Sequence, residues 1–288
     1  MVSRLFFSLS WIFRGVCFFF VLAFLSSCGT AVRSVPDRLL FSFSIDKSYP
    51  AKYFNERVRF LVMHYTAVDF EKSLKILTEK RVSSHYLIPD TPVHGRHEIF
   101  LLLKEDLRAW HAGVSYWQNR TNLNDTSIGI EVVNLGYEDL SSGRRWFSFT
   151  DYQIQIIAEL AKDIIKRYGI NPTAVVGHSD IAPGRKVDPG PLFPWKKLAE
   201  QGVGAWYNEV RVQQLKNSLQ GQKIDIRSLQ QDLKKYGYQI EETGEIDEQT
   251  KVVVRAFQMH FRQSDFSGDP DAETVAILKN LIEKYRSS

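Results

Sequence analysis

The chain has 288 residues, 44% hydrophobic, 24% charged and 13% aromatic. That composition is ordinary for a globular protein, and the length allows one or two packed domains. Its formal net charge of +4 falls to +2 once the basic residues of the first 27 positions, Arg4 and Arg14, are set aside. So near a balance gives no reason to expect nucleic acid as a partner.

Arg4 and Arg14 precede an apolar run, Val16 to Leu25, that leads into Leu25-Ser26-Ser27-Cys28. A basic start, an apolar stretch shorter than a spanning helix needs, and small residues describe a secretory signal peptide over 1–27. Leu-Ser-Ser-Cys resembles the lipobox of bacterial lipoproteins, which implies a mature chain starting at lipidated Cys28. The other reading is an uncleaved membrane anchor, and either one places the body outside the cytoplasm, tethered to a membrane. Gly29, where an aspartate retains many lipoproteins in the inner membrane, points to the outer membrane and a body facing the periplasm. Cys17 leaves with the signal and Cys28 takes the lipid, so a metal site has to be built from His, Asp and Glu.

Residues 28–40 read as a tether. Val58 to His64 is a β-prone apolar run ending on a histidine, and further strands are expected at His85 to Ile88, Ile99 to Leu103, Ser127 to Val133 and Thr173 to Gly177. A helix is predicted over Asp151 to Tyr168. Thr150 and Gln153 form its capping box, Ile154, Ile157, Ala158, Ala161, Ile164 and Ile165 keep helical spacing, and Gly169 stops it. Alternating strands and helices predict an α/β domain over 41–214, with a mixed central sheet flanked by helices. Leu198 to Gln222 shows no lasting periodicity, which places a boundary near residue 215. Three helices follow, over Asp225 to Tyr236, Asp247 to Phe261 and Asp271 to Tyr285, making 215–288 a small all-α domain.

The segment Gly177-His-Ser-Asp-Ile-Ala-Pro-Gly-Arg-Lys-Val-Asp-Pro-Gly190 carries His178, Lys186 and Asp188 on a stiff Pro/Gly loop. His64 and His178 each end a candidate strand, where side chains face solvent from a rigid base. Two imidazoles and a carboxylate suit Zn²⁺ and leave a fourth position for water. A histidine at a strand end also serves commonly as a hydrogen-bonded structural residue, so spacing alone leaves both readings open.

Five stretches, in order, resemble the zinc N-acetylmuramoyl-L-alanine amidases of the amidase-2 group, and more narrowly its AmiD-type outer-membrane lipoprotein branch. They are Val62-Met-His-Tyr-Thr-Ala67, Ser84-His-Tyr-Leu-Ile88, Ala109-Trp-His-Ala-Gly113, Ser127-Ile-Gly-Ile-Glu-Val132 and the loop just quoted. The resemblance implies the amidase (peptidoglycan-recognition-protein-like) fold, with His64, His178 and Asp188 as zinc ligands, Glu131 as general base or acid and Lys186 as a second polar catalyst. It implies hydrolysis of the amide between N-acetylmuramic acid and L-alanine in peptidoglycan or muropeptides. The alternative is a non-catalytic muropeptide-binding lipoprotein of the same fold. His85, Trp110 and His111 lie in these motifs, and for each a place at a substrate wall or in support of it stands beside a purely structural reading. Trp117 and Trp195 are readable as sugar-stacking or as core, and Asp180 as a brace of its loop. Leu229-Gln-Gln-Asp-Leu233, Gly244-Glu-Ile-Asp247 and Asp271-Ala-Glu-Thr274 resemble the three-helix peptidoglycan-binding domain.

Overall fold

The computed structural model describes residues 46–286. The signal segment, Cys28 and the expected tether lie outside the described residues. The chain divides after Phe54; of the first unit, residues 46–54 are described, all exposed and without helix or strand.

The second unit opens with strand β1 (Phe60–Tyr65) and helix α1 (Phe70–Glu79), which Asp69 caps by accepting the Lys72 N–H. Short strands β2 (Tyr86–Ile88) and β3 (Phe100–Leu101) follow, then a ribbon of β4 (Tyr116–Trp117) and β5 (Arg120–Thr121). Next come the six-residue β6 (Ser127–Val132) and a hairpin of β7 (Tyr137–Leu140) and β8 (Gly143–Trp146). Helix α2 (Asp151–Tyr168) leads to β9 (Val175–Gly177), which passes directly into the four-residue helix α3 (His178–Ile181). The rest is helical: α4 (Trp195–Glu200), α5 (Glu209–Leu219), α6 (Ile226–Tyr236), α7 (Glu248–Phe261) and α8 (Ala272–Tyr285).

The five-stranded sheet runs β3-β2-β6-β1-β9, parallel except for the antiparallel β2–β3 pair. Leu61, Val62 and Met63 of β1, with Ile128 and Ile130 of β6, are inaccessible to solvent. Parallel strands covered on both faces read as continuous apolar runs for this reason. Helix α2 packs Ile157, Ala158, Ala161 and Ile164 into the same core. Its N-terminus forms the expected Thr150–Gln153 capping box, and Gly169 closes it at a φ of 61° that a glycine adopts without strain.

The register sets the site. On β1, His64 pairs with Glu131 of β6, and Met63 pairs with Gly177 of β9. The chain thus brings His64, Glu131 and His178 to the carboxyl edge of three adjacent parallel strands, the usual rim for a ligand site in such sheets.

The helical region differs from expectation in one respect. Helix α5 runs across the boundary expected near residue 215; Asn208 caps it, and Arg211 pairs with Glu283 of α8 at 2.8 Å. Four helices, rather than three, pack together here among the described residues. The reason α5 escapes the periodicity is that it buries Val212 alone. The helices also close directly on the β4–β5 ribbon. The Gln118 N–H donates to the Gly237 carbonyl at 2.9 Å, and the Trp117 ring meets that of Tyr238 edge-on at 4.7 Å.

Candidate metal centre and cleft

Three side chains converge at the rim. His64 Nδ1 lies 3.0 Å from His178 Nδ1 and 2.9 Å from Asp188 Oδ2, and His178 Nδ1 lies 3.0 Å from the same carboxylate oxygen. All three residues are buried. Those edges are a few tenths of an ångström shorter than the about 3.3–3.6 Å edges of a tetrahedral face whose vertices stand about 2.0–2.2 Å from a central ion, so a small outward shift of the three donors would admit one. Two imidazole nitrogens and a carboxylate, with no thiolate, can hold a divalent transition metal.

Local chemistry explains the convergence. His178 opens α3 instead of closing β9, as the sequence suggested, and its carbonyl accepts the Ala182 N–H. Asp180 caps this turn by accepting the Gly177 N–H at 2.7 Å. The loop then returns, and the Ser179 N–H donates to the Asp188 carbonyl at 2.8 Å, which sets Asp188 beside His178. Gly177 permits this return, since a Cβ there would come within 2.7 Å of the Pro189 ring.

Charge states follow from burial and neighbours. Burial pushes His64 down to about 4, with the adjacent His178 adding to the effect and Asp188 opposing it. For Asp188 burial alone would raise the carboxyl, but His178 and His64 beside it hold it well below the usual carboxylate range. A neutral His64 and an ionised Asp188 are the forms a metal ion requires. Burial pushes Glu131 up to about 8, helped by the charge of Asp188 and opposed by Lys186. The Oε2 atom of Glu131 is sealed from bulk solvent and has no hydrogen-bond partner.

The triad lines a cleft of about 640 Å³ together with Glu131, Lys186, Arg185, Trp110 and His111. Trp110 is 54% exposed and forms a wall, with Arg108 over its ring at 4.1 Å. His111 is buried; its ring nitrogens engage His64 and Ser127. His85 does not meet the expectation of a substrate wall. It is inaccessible and outside the cleft, with Nδ1 accepting the Gly129 N–H and Nε2 facing the Leu107 carbonyl. Trp117 and Trp195 are core residues, the latter stacked on His260 at 3.8 Å.

Sequence reasoning passed over the β7–β8 hairpin, which brings Tyr137 and Arg144 to the cleft. Arg144 lies 3.8 Å over the Tyr137 ring and pairs with Asp139 at 3.0 Å. The signal for it was present: Ser141-Ser142-Gly143 is a turn between two runs carrying aromatic residues.

Sheet, cleft and triad together define an α/β protein with a buried, metal-capable centre lining a polar cleft. Residues 54–191 match the family described as N-acetylmuramoyl-L-alanine amidase, and residues 222–278 match the one described as "Putative peptidoglycan binding domain". The chain is 48% identical over 247 residues to N-acetylmuramoyl-L-alanine amidase AmiD of Escherichia coli (strain K12), across 84% of this chain and 89% of that protein. The fold is similar to that of E. coli AmiD in complex with the substrate anhydro-N-acetylmuramic acid-L-Ala-D-gamma-Glu-L-Lys. There the TM-score is 0.79 and the identity 45%, over 86% of this chain and 97% of the other. It is similar also to AmpDh3 from Pseudomonas aeruginosa in complex with anhydromuramic pentapeptide, with a TM-score of 0.78 and 45% identity over 84% and 98% of the two chains. The chain belongs to the N-acetylmuramoyl-L-alanine amidase family.

Proposed function

We propose that this chain hydrolyses the amide bond between the lactyl group of N-acetylmuramic acid and L-alanine in peptidoglycan or its fragments, with zinc held by His64, His178 and Asp188. The observation that carries the reading is the convergence of those three donors, at 2.9–3.0 Å from one another, in a cleft that Glu131 and Lys186 also line.

Zinc, when bound, would polarise the amide carbonyl and lower the pKa of water at the site. Glu131 takes the proton of the attacking water and returns it to the departing amine nitrogen. A carboxyl raised to about 8 holds and releases a proton near neutrality, which suits both halves of that transfer. Its unpartnered Oε2 is free to accept. Lys186 sets a positive charge beside the carbonyl oxygen as negative charge develops there. Trp110 and the hairpin residue Tyr137 supply apolar wall, and Arg144 and Arg185 supply positive charge for an acidic stem peptide.

The same reading extends to the whole chain. Cys28 carries a lipid after removal of residues 1–27, and the enzyme is held in the cell envelope, on the outer membrane facing the periplasm. The helical domain grips peptidoglycan, and with α5 intact its start moves back to about Asn208. Anchoring at two points confines the cleft near its polymer and raises the effective concentration of scissile bonds.

The test is digestion of anhydro-N-acetylmuramic acid-L-Ala-D-γ-Glu-L-Lys by the soluble form beginning after Cys28, followed by mass spectrometry. Release of free tripeptide, abolished by a chelator and restored by zinc, is the expected result. Saturable binding of the muropeptide with no release in the presence of zinc would establish the non-catalytic binder instead.

A further inference from the structure

We propose that the His111-Ala112 segment is the positioning device of the metal centre: it determines which nitrogen of each ligand histidine carries the proton, leaving both Nδ1 lone pairs turned toward Asp188. The inference rests on the metal reading above and gives a role within it to groups that act through the ligands.

Two backbone carbonyls, which can only accept hydrogen bonds, fix the proton positions of this network. The Leu123 carbonyl lies 2.5 Å from Ser127 Oγ, so the hydroxyl hydrogen is committed there. Ser127 Oγ is then an acceptor toward His111 Nε2, 3.1 Å away, and that nitrogen bears the proton of the His111 ring. Buried beside two other imidazoles, His111 is neutral, and its Nδ1 is bare. His111 Nδ1 lies 3.0 Å from His64 Nε2, so His64 donates from Nε2 and keeps its Nδ1 bare. The second relay has one step. The Ala112 carbonyl, 3.0 Å from His178 Nε2, takes the proton of that ring and leaves His178 Nδ1 bare.

Both bare nitrogens and the Asp188 oxygen stand within 3.0 Å of one another. Three electron pairs so close, with no hydrogen assigned among them, repel unless a cation sits between them. A single two-residue segment therefore prepares both imidazoles as metal donors.

The segment is itself held from two sides. The backbone N–H groups of His111 and Ala112 both donate to Oδ1 of the buried Asn124, at 3.1 and 2.7 Å. On the other side β6 passes so close that a Cβ on Gly129 would lie 2.6 Å from His111 Cγ. Arg185 donates to the Ala112 carbonyl as well, at 2.8 Å, using the second lone pair of that oxygen.

Two substitutions separate packing from proton placement. His111→Phe keeps the ring and removes both nitrogens, whereas His111→Asn puts an acceptor oxygen close to the position of Nδ1. Zinc affinity of the mature protein in detergent is measured by competition with a chelating dye. The tautomer of His64 is read in the metal-free protein, above neutral pH, from long-range ¹H–¹⁵N correlations. Expected are an Nε2-protonated His64 in the wild type, a loss of about 10–100-fold in zinc affinity with a shift of the His64 proton in His111→Phe, and partial recovery of both in His111→Asn. If His111→Phe does not fold, Ser127→Ala, which frees the His111 proton, is expected to move both readouts in the same direction. An Nδ1-protonated His64 in the metal-free wild type overturns the proposal, as does His111→Phe with unchanged tautomer and zinc affinity. A wild type that binds no zinc would instead sink the metal reading, and the tautomer would still decide the relay.

Discussion

Tyr238, just beyond α6, donates its hydroxyl to Asp180 at 2.6 Å, two residues along the chain from His178. The same carboxylate faces His260 Nδ1 of α7 at 2.7 Å. All three residues are buried, so the helical region braces, through one side chain, the turn that presents a metal-ligating histidine. Tyr238→Phe leaves one oxygen of a buried carboxylate without that donor and is expected to cost about 1–3 kcal/mol. Thermal unfolding of the metal-free protein measures the loss, and the variant should also bind zinc more weakly as the α3 turn loosens.

Glu131→Gln is expected to retain zinc while losing about 10²–10⁴-fold in turnover, the usual contribution of a positioned proton-transfer group. Metal content by mass spectrometry and peptide release give the two halves of the prediction. A variant of near wild-type activity would remove Glu131 from the chemistry.

The same residue makes a pH-dependent prediction for the metal-free protein. Its carboxyl rises from the ordinary 4.5 to about 8, so the folded chain keeps a proton that the unfolded chain sheds across that window. Any stability associated with the protonated group is complete below about 4.5 and is lost as pH rises through about 8. Burial is the main cause of that rise, and the full effect is on the order of a few kcal/mol. Glu131→Gln should match the wild type near pH 4 and unfold at a higher denaturant concentration than it at pH 9.

Removing the ion should destabilise the folded chain by mass action. Zinc at 100 times its dissociation constant adds about 2.7 kcal/mol, visible as a fall in melting temperature on chelation. Asp188→Ala should show no such difference between zinc and chelator, because two imidazoles are all that remain of the donor set.

Gly129→Ala tests the close approach of strand and ring. The added methyl group meets His111 at 2.6 Å, with no flexible end to give way. Overpacking of this kind costs about 1–3 kcal/mol, and calorimetry should find it. A crystal structure of the variant should show His111 displaced from His64.

Some of this architecture was readable directly from the chain because its signals are local. The capping box at Thr150, the stop at Gly169 and the apolar runs that became β1, β6 and β9 each depend on residues within a turn or two of one another. The five motifs likewise carried the family and its candidate ligands. What local pattern could not decide was which side chains meet. His64 stands level with Glu131 and His178 only because parallel strands far apart in the chain pair in one particular register. His85 and His111, alike in sequence context, part company around Gly129: one takes its backbone N–H and is shut away, the other lies against its bare Cα and reaches His64. Helix α5, with one buried residue, is held by α8 rather than by its own periodicity. Short-range propensity is written in neighbouring residues, but burial, register and proton placement depend on partners that only the folded chain supplies.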